Sequence, residues 1–150
     1  MDNISLGSSE NKKRMEVAVE GYLNPNHNPK LYAEVVEGPL DDVKSVFIKL
    51  IDGAQIEKLK NVLKQYQKNG VNINTPVCKA KEGGLGLKLN TQKLSKYMGL
   101  FMLRTPRADW FNKAYKVRFT VHRYSYSHPE DPENKIQGIS FLLKGLDLLI

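Results

Sequence analysis

Residues 115–126 constrain this chain more than any other stretch, because apolar and polar residues alternate strictly from Tyr115 to His122. Tyr115, Val117, Phe119 and Val121 fall on one side; Lys116, Arg118, Thr120, His122, Tyr124 and Tyr126 fall on the other. A strict period of two over this length predicts a strand with one face on a core and one in solvent. An acidic, Pro-containing loop over His128–Lys135 follows, and the apolar run from Ile136 toward Ile150 predicts a further strand.

The remainder reads as short elements of one domain, for which 150 residues leave room and little more. Residues 1–14, rich in Ser, Asn and Lys, read as a flexible arm ahead of a domain over 15–150. Met15–Leu23 suits a strand, with Val17 and Val19 on one face. Tyr22–Pro29 is a loop, since its two prolines and three asparagines cannot sustain a ladder. Leu31–Glu37 reads as a second strand ended by Gly38-Pro39, with Asp41-Asp42 in the next turn. Val43–Ile51 reads as a third, apolar on both faces and so central in a sheet.

Asp52-Gly53 then opens a helix over 54–69. Ile56, Leu59, Leu63 and Tyr66 lie on one stripe with Val62 beside it; Lys58, Lys60, Lys64 and Lys68 lie opposite, and Asn69-Gly70 ends the helix. Val71, Ile73, Thr75 and Val77 alternate as an edge strand bent at Pro76. Lys79–Gly84 is a hairpin-like loop, and Leu85, Leu87 and Leu89 mark the return strand. Between 90 and 113 a short helix fits Thr91–Met102, with Leu94, Tyr97, Met98 and Phe101 inward, broken at Thr105-Pro106-Arg107.

Charge narrows the function. The net charge is +7, yet residues 54–126 alone carry 15 Lys or Arg against three acids, Glu57, Glu82 and Asp109. One sign gathered into one stretch favours a polyanionic partner over a merely solubilising surface. A single cysteine, Cys78, excludes an internal disulfide and a multi-cysteine zinc site. No apolar window is long enough for a membrane-spanning helix, and Met1–Arg14 lacks the apolar centre of a signal peptide. A membrane role is therefore not expected, and the expected setting is intracellular: the cytoplasm or nucleoid of a host cell, or a eukaryotic nucleus.

Three surfaces are candidates for contact with such a partner. The first is the polar face of 115–126, where Lys116, Arg118, His122, Tyr124 and Tyr126 (with Arg123 beside them) combine cations for phosphates with rings for unpaired bases. A bulge near Arg123 would turn the two tyrosines to the other face. The second is the loop with Lys79 and Lys81 and the strand position Lys88, where Gly83-Gly84 lets backbone approach a phosphate. It is not a Walker loop, because no Gly-Lys-Ser/Thr stands at the required spacing. The third groups Arg104 and Arg107 with Trp110 and Phe111 as a clamp, although Trp110 equally suits a core anchor. The lysines of the helix are read as a solvated face.

Catalytic readings are thin. A small metal-dependent nuclease would draw on Asp41, Asp42 and Asp52, but the basic centre supplies few carboxylates to converge on a metal. Cys78 with His27, His122 or His128 follows no thiol-site spacing, and Gly84-Leu85-Gly86 is too short for a dinucleotide loop. The expectation is a non-enzymatic protein without a cofactor.

Strands, a helix near 54–69 and further strands suggest an OB-type Greek-key barrel, mainly β, with a helix after the third strand. The last third resembles more. "YKVRFTVHRYSY", an acidic loop and "KIQGISFLLKGLDLLI" look like the closing hairpin of viral and phage-type OB-fold single-stranded DNA-binding proteins, with Lys116, Arg118, Tyr124, Tyr126, Gly138 and Phe141 at the matching positions. The end departs from that pattern, for it reads "GLDLLI" where many such proteins carry an acidic tail. The resemblance implies sequence-tolerant binding of single-stranded DNA in replication, recombination or repair. RNA binding stays open as an alternative, because nothing marks a 2′-hydroxyl reader, and so do a virion structural or interaction module and self-association.

Overall fold

In a computed structural model, which describes residues 15–25, 28–66, 73–80, 83–111 and 113–149, six strands form one sheet that closes on itself. They are β1 (Glu16–Leu23), β2 (Ser45–Leu50), β3 (Val77–Lys79), β4 (Leu85–Asn90), β5 (Ala114–His128) and β6 (Asp131–Leu148). β1 pairs antiparallel with β2 and β5, β5 with β6, and β2 with β4. β4 meets β6 in parallel at Asn90 and Leu142, which closes the ring β1-β2-β4-β6-β5. β3 hangs on the free edge of β4. The chain is mainly β, and this five-stranded closed ring is an OB-like barrel. The expectations for the arm over 1–14, for Lys68 and Lys81, and for the helix end at Asn69-Gly70 lie outside the described residues.

One strand of the sequence reading is a helix. Leu31–Glu37 belongs to α1 (Pro29–Val36), and the reason stands just before it. The Asn28 side chain accepts from the Lys30 and Leu31 amides at 3.1 and 3.4 Å, and Pro29 occupies the first turn, where its missing N–H costs nothing. Leu31 and Val35, four apart, turn toward the core. The long helix, α2 (Gly53–Lys64), therefore follows the second strand rather than the third. Asp52 caps it by accepting from the Gln55 amide at 3.1 Å. Leu59 and Val62 are its buried positions, with Ile56, Leu63 and the following Tyr66 packed at the margin of the core.

The interior takes the alternate residues of every barrel strand. Tyr115, Val117 and Phe119 are fully buried, and Phe119 meets Phe141 of β6 at 4.5 Å between ring centroids. A bulge lets β6 keep its apolar side chains in the same core from Ile139 to Leu146. Arg118 pairs with Gly145 but Phe119 with Leu143, so Lys144 is the extra residue. Ile139, Phe141 and Leu143 face inward before it and Leu146 after it, which a strand without the bulge could not achieve.

Residues 90–111 wrap one end of the barrel in short turns. Leu94–Tyr97 and Arg107–Asp109 are single 3₁₀ turns, and α3 (Leu100–Leu103) is one α-helical turn. Leu94, Met98 and Met102 point inward, while Phe101 is 56% exposed rather than inward as expected. The break at Gly99 resets the helical phase by one position. Trp110 is buried with its indole N–H donating to the Met102 and Thr105 carbonyls at 3.0 and 2.9 Å, and its own carbonyl accepts from the Tyr115 hydroxyl at 2.7 Å. Burial pushes the Tyr115 phenol upward, so it stays protonated and donating.

Asp41 ties this end to the turn at Leu40–Asp42. Its Oδ1 accepts from the Ser95 hydroxyl at 2.6 Å, and this bond, helped by the Ser95 amide and by Lys93 and Lys44, holds the carboxyl below its ordinary value of 3.8. A depressed carboxyl stabilises the fold above its unfolded pKa and loses that contribution as pH falls through the folded value. We expect carbon-detected NMR titration to place Asp41 below 3.8, and the value to return to the ordinary one in Ser95→Ala. An unshifted Asp41 in the parent protein would remove this bond from the account.

Candidate nucleic-acid interface

Past the barrel rim β5 and β6 continue as a two-stranded ribbon. Val121 donates to the Met15 carbonyl at 3.1 Å, and beyond that point no described residue pairs with the outer edge of β5. Residues 123–127 and 131–135 are exposed. The register runs unbroken from Phe119 opposite Leu143 to Ser127 opposite Lys135. The feared bulge at Arg123 is absent, so Tyr124 and Tyr126 keep the face that Lys116 and Arg118 began.

The two rings are arranged rather than merely exposed. Their centroids lie 6.2 Å apart with planes 19° from parallel, and the side chains are 39% and 52% exposed. Tyr124 pairs with Gly138 across the ribbon. A Cβ on Gly138 would stand 2.4 Å from Tyr124 Cζ, so the ring crosses the space that any side chain there would fill. Glycine here serves close approach, not an unusual backbone angle.

The opposite face of the ribbon base forms a cleft. Arg123 lays its guanidinium 4.8 Å from the centroid of the Tyr66 ring, a cation–π contact. Tyr66, Ile73, Arg123, Tyr124, Gln137 and Ile139 line a volume of about 350 Å³, large enough for one flat heterocycle. The sequence reading had placed Tyr66 only on the helix stripe. The structure ends α2 at Lys64, so Tyr66 stands past its last turn rather than inside the helix expected over 54–69.

The predicted cations divide into groups. Lys116 is exposed but stands opposite Glu20 on β1 and Asp147 on β6, and Arg118 reaches Glu16 at 3.9 Å while crossing Gly145. Acidic neighbours thus balance the lower half of the β5 face. His122 contacts the Thr120 hydroxyl at 2.7 Å. Lys79 and Lys88 are exposed on β3 and β4, on the far side of β6. Ile73–Pro76 links them to the ribbon: Asn74 bridges Gly138, and two residues on the Pro76 carbonyl accepts from the Lys88 amide at 2.8 Å. Lys49, absent from the predicted set, lies on β2 across from Gly86, with Phe47 beside it laid against the same glycine.

The third predicted surface does not assemble as a clamp. Trp110 and Phe111 are 2% and 8% exposed, and Phe111 stacks on Tyr32 at 5.2 Å. Arg107 donates to the Gly38 carbonyl at 2.7 Å, a contact that fastens the end of α1, while Arg104 is exposed after α3. These rings cannot offer their faces to a base in this fold, because the core already holds them.

Asp52 caps α2 and Asp41 holds Ser95, two separate structural tasks. Cys78 is exposed opposite Gly86, and the His128 ring accepts from the Glu130 amide at 3.1 Å. Among the described residues no three His, Cys, Asp or Glu come together as a metal site. Comparison with protein-family models, with curated proteins and with solved structures finds no match to the chain.

Proposed function

We propose that the protein binds single-stranded DNA without reading its sequence and protects it during replication, recombination or repair. The observation that carries this reading is the ribbon: two near-parallel tyrosine rings on one face, and Arg123 over Tyr66 on the other. Unpaired bases expose both faces and stack on such rings, whereas paired bases hide theirs. Lys88 and Lys49 continue from the ribbon across the outside of β4 and β2, a path for the phosphates. The OB-like barrel supports the reading as scaffold only, since one fold serves many functions. The role is one of binding, without a catalytic step. Its setting is intracellular, wherever single strands are exposed.

Competition among single-stranded DNA, duplex DNA and single-stranded RNA at two ionic strengths tests it. We expect oligo-dT to win over duplex, and its affinity to fall by roughly 0.7 log units per log unit of salt for each phosphate neutralised. A flat salt response, or preference for duplex, would sink the proposal. Preference for RNA would keep the mechanism and change the polymer.

A further inference from the structure

The end of the barrel away from the ribbon carries a surface that nucleic-acid binding leaves unused. Met102 is the buried side chain of α3, while Leu100, Phe101 and Leu103 stand 62%, 56% and 52% exposed. Single exposed apolar residues are ordinary, but three large ones on one turn form a patch whose burial is favourable. The turn cannot roll them inward. The Gly99 amide donates to the Leu146 carbonyl at 2.8 Å and Met98 bridges Leu146, so α3 is pinned to β6.

Positive charge gathers around Tyr97, in the turn that precedes α3. Tyr97, two residues before Gly99 and the start of α3, lines a recess of about 380 Å³ with Gln92, Lys93 and Lys96. The Lys96 and Lys144 ammonium groups approach its ring at 5.6 and 5.7 Å. Arg104 follows α3 directly. Of the carboxylates at this end, Asp41 accepts from Ser95 and Asp147 lies over Gly99 and opposite Lys116, while Asp42 and Asp109 are exposed. Exposed apolar side chains with cations in the preceding turn suit an occupant that is apolar on one face and acidic on the other.

We propose that this surface docks an acidic amphipathic peptide segment of another protein, with its apolar side chains on Leu100, Phe101 and Leu103 and its carboxylates at Lys93, Lys96 and Lys144. Charge complementarity decides the sign of the occupant. The recess at Tyr97 takes a side chain, which a flat bilayer does not present. A second copy offering the same face would set like charges together. Ile136, opposite Tyr126, and Leu146 are ten residues apart on β6, or about 30 Å, so a peptide and a nucleic acid can occupy the protein together.

The test uses the intact protein and a short fluorescein-labelled helical peptide with Leu and Phe on one face and Glu on the other. Saturable binding is expected, weakened about tenfold or more by Leu100→Ser with Phe101→Ser and by Lys96→Glu with Lys144→Glu. Melting temperature and oligonucleotide affinity should hold in the first pair, whose side chains are exposed. No binding, equal binding by the variants, or equal binding of a peptide with Lys in place of Glu overturns the proposal. So does adsorption to phosphatidylcholine vesicles containing one quarter phosphatidylserine without peptide binding, or self-association that the Leu100/Phe101 pair abolishes.

Discussion

Tyr124→Ala combined with Tyr126→Ala is expected to leave the protein folded and to remove most of its affinity for single strands. Both rings are exposed beyond the barrel rim, so no core contact goes with them. Each base stacked on an aromatic side chain contributes about 1–3 kcal/mol, so the pair together accounts for about 2–6 kcal/mol if the two act independently. Loss of affinity at the low end is already more than tenfold. The rings lie in near-parallel contact, so their effects fall short of full additivity and the single variants are to be measured beside the pair. Fluorescence-anisotropy titration with oligo-dT reads the effect, and circular dichroism checks the fold. Undiminished binding by a folded double variant removes the ribbon from the interface, and with it the observation on which the functional proposal rests.

Trp110→Ala should do the reverse: reduce stability severely while acting on binding only through the folded fraction. The indole is 2% exposed and its N–H is shared between two carbonyls. Truncating such a side chain leaves a cavity and costs about 3–5 kcal/mol. Against a total stability of roughly 5–15 kcal/mol, this is a large fraction. Thermal denaturation should show a fall of roughly 10–20 °C. A variant that melts like its parent and yet loses single-strand affinity would restore Trp110 to the binding surface and contradict its placement in the core. The contrast between these two experiments separates the ring that holds the barrel from the rings that face outward.

The sequence was most readable where a local pattern met no competing local signal. The alternation from Tyr115 to Tyr126 survived intact, because the bulge that the hairpin needed fell on β6 at Lys144 and left β5 undisturbed. The helix after Asp52 was legible from its cap and its stripe. Leu31–Glu37 misled because two adjacent valines suggest a strand, while the deciding residues, Asn28 and Pro29, stand upstream in what looked like plain loop. Phe101 misled because Gly99 interrupts the helix whose phase the reading assumed.

Charge and aromatic residues were legible as a supply, not as an arrangement. Lys116 and Arg118 are cations in any reading, but only the pairing of β5 with β1 and β6 sets Glu16, Glu20 and Asp147 beside them. Tyr66 and Arg123 are 57 positions apart in the chain, and only closure of the barrel brings the ring under the guanidinium.

What the linear chain determined by itself was which strand faces are apolar, where α2 begins, and that positive charge is concentrated in its middle. A two-residue period and a capping side chain act over a few neighbours, so they are written locally. Tertiary structure alone decided which aromatic rings remain available: Trp110 and Phe111 went inside, Tyr124 and Tyr126 stayed out. That choice depends on strand register and on the packing volume of distant segments, and neither is a property of any short stretch of sequence.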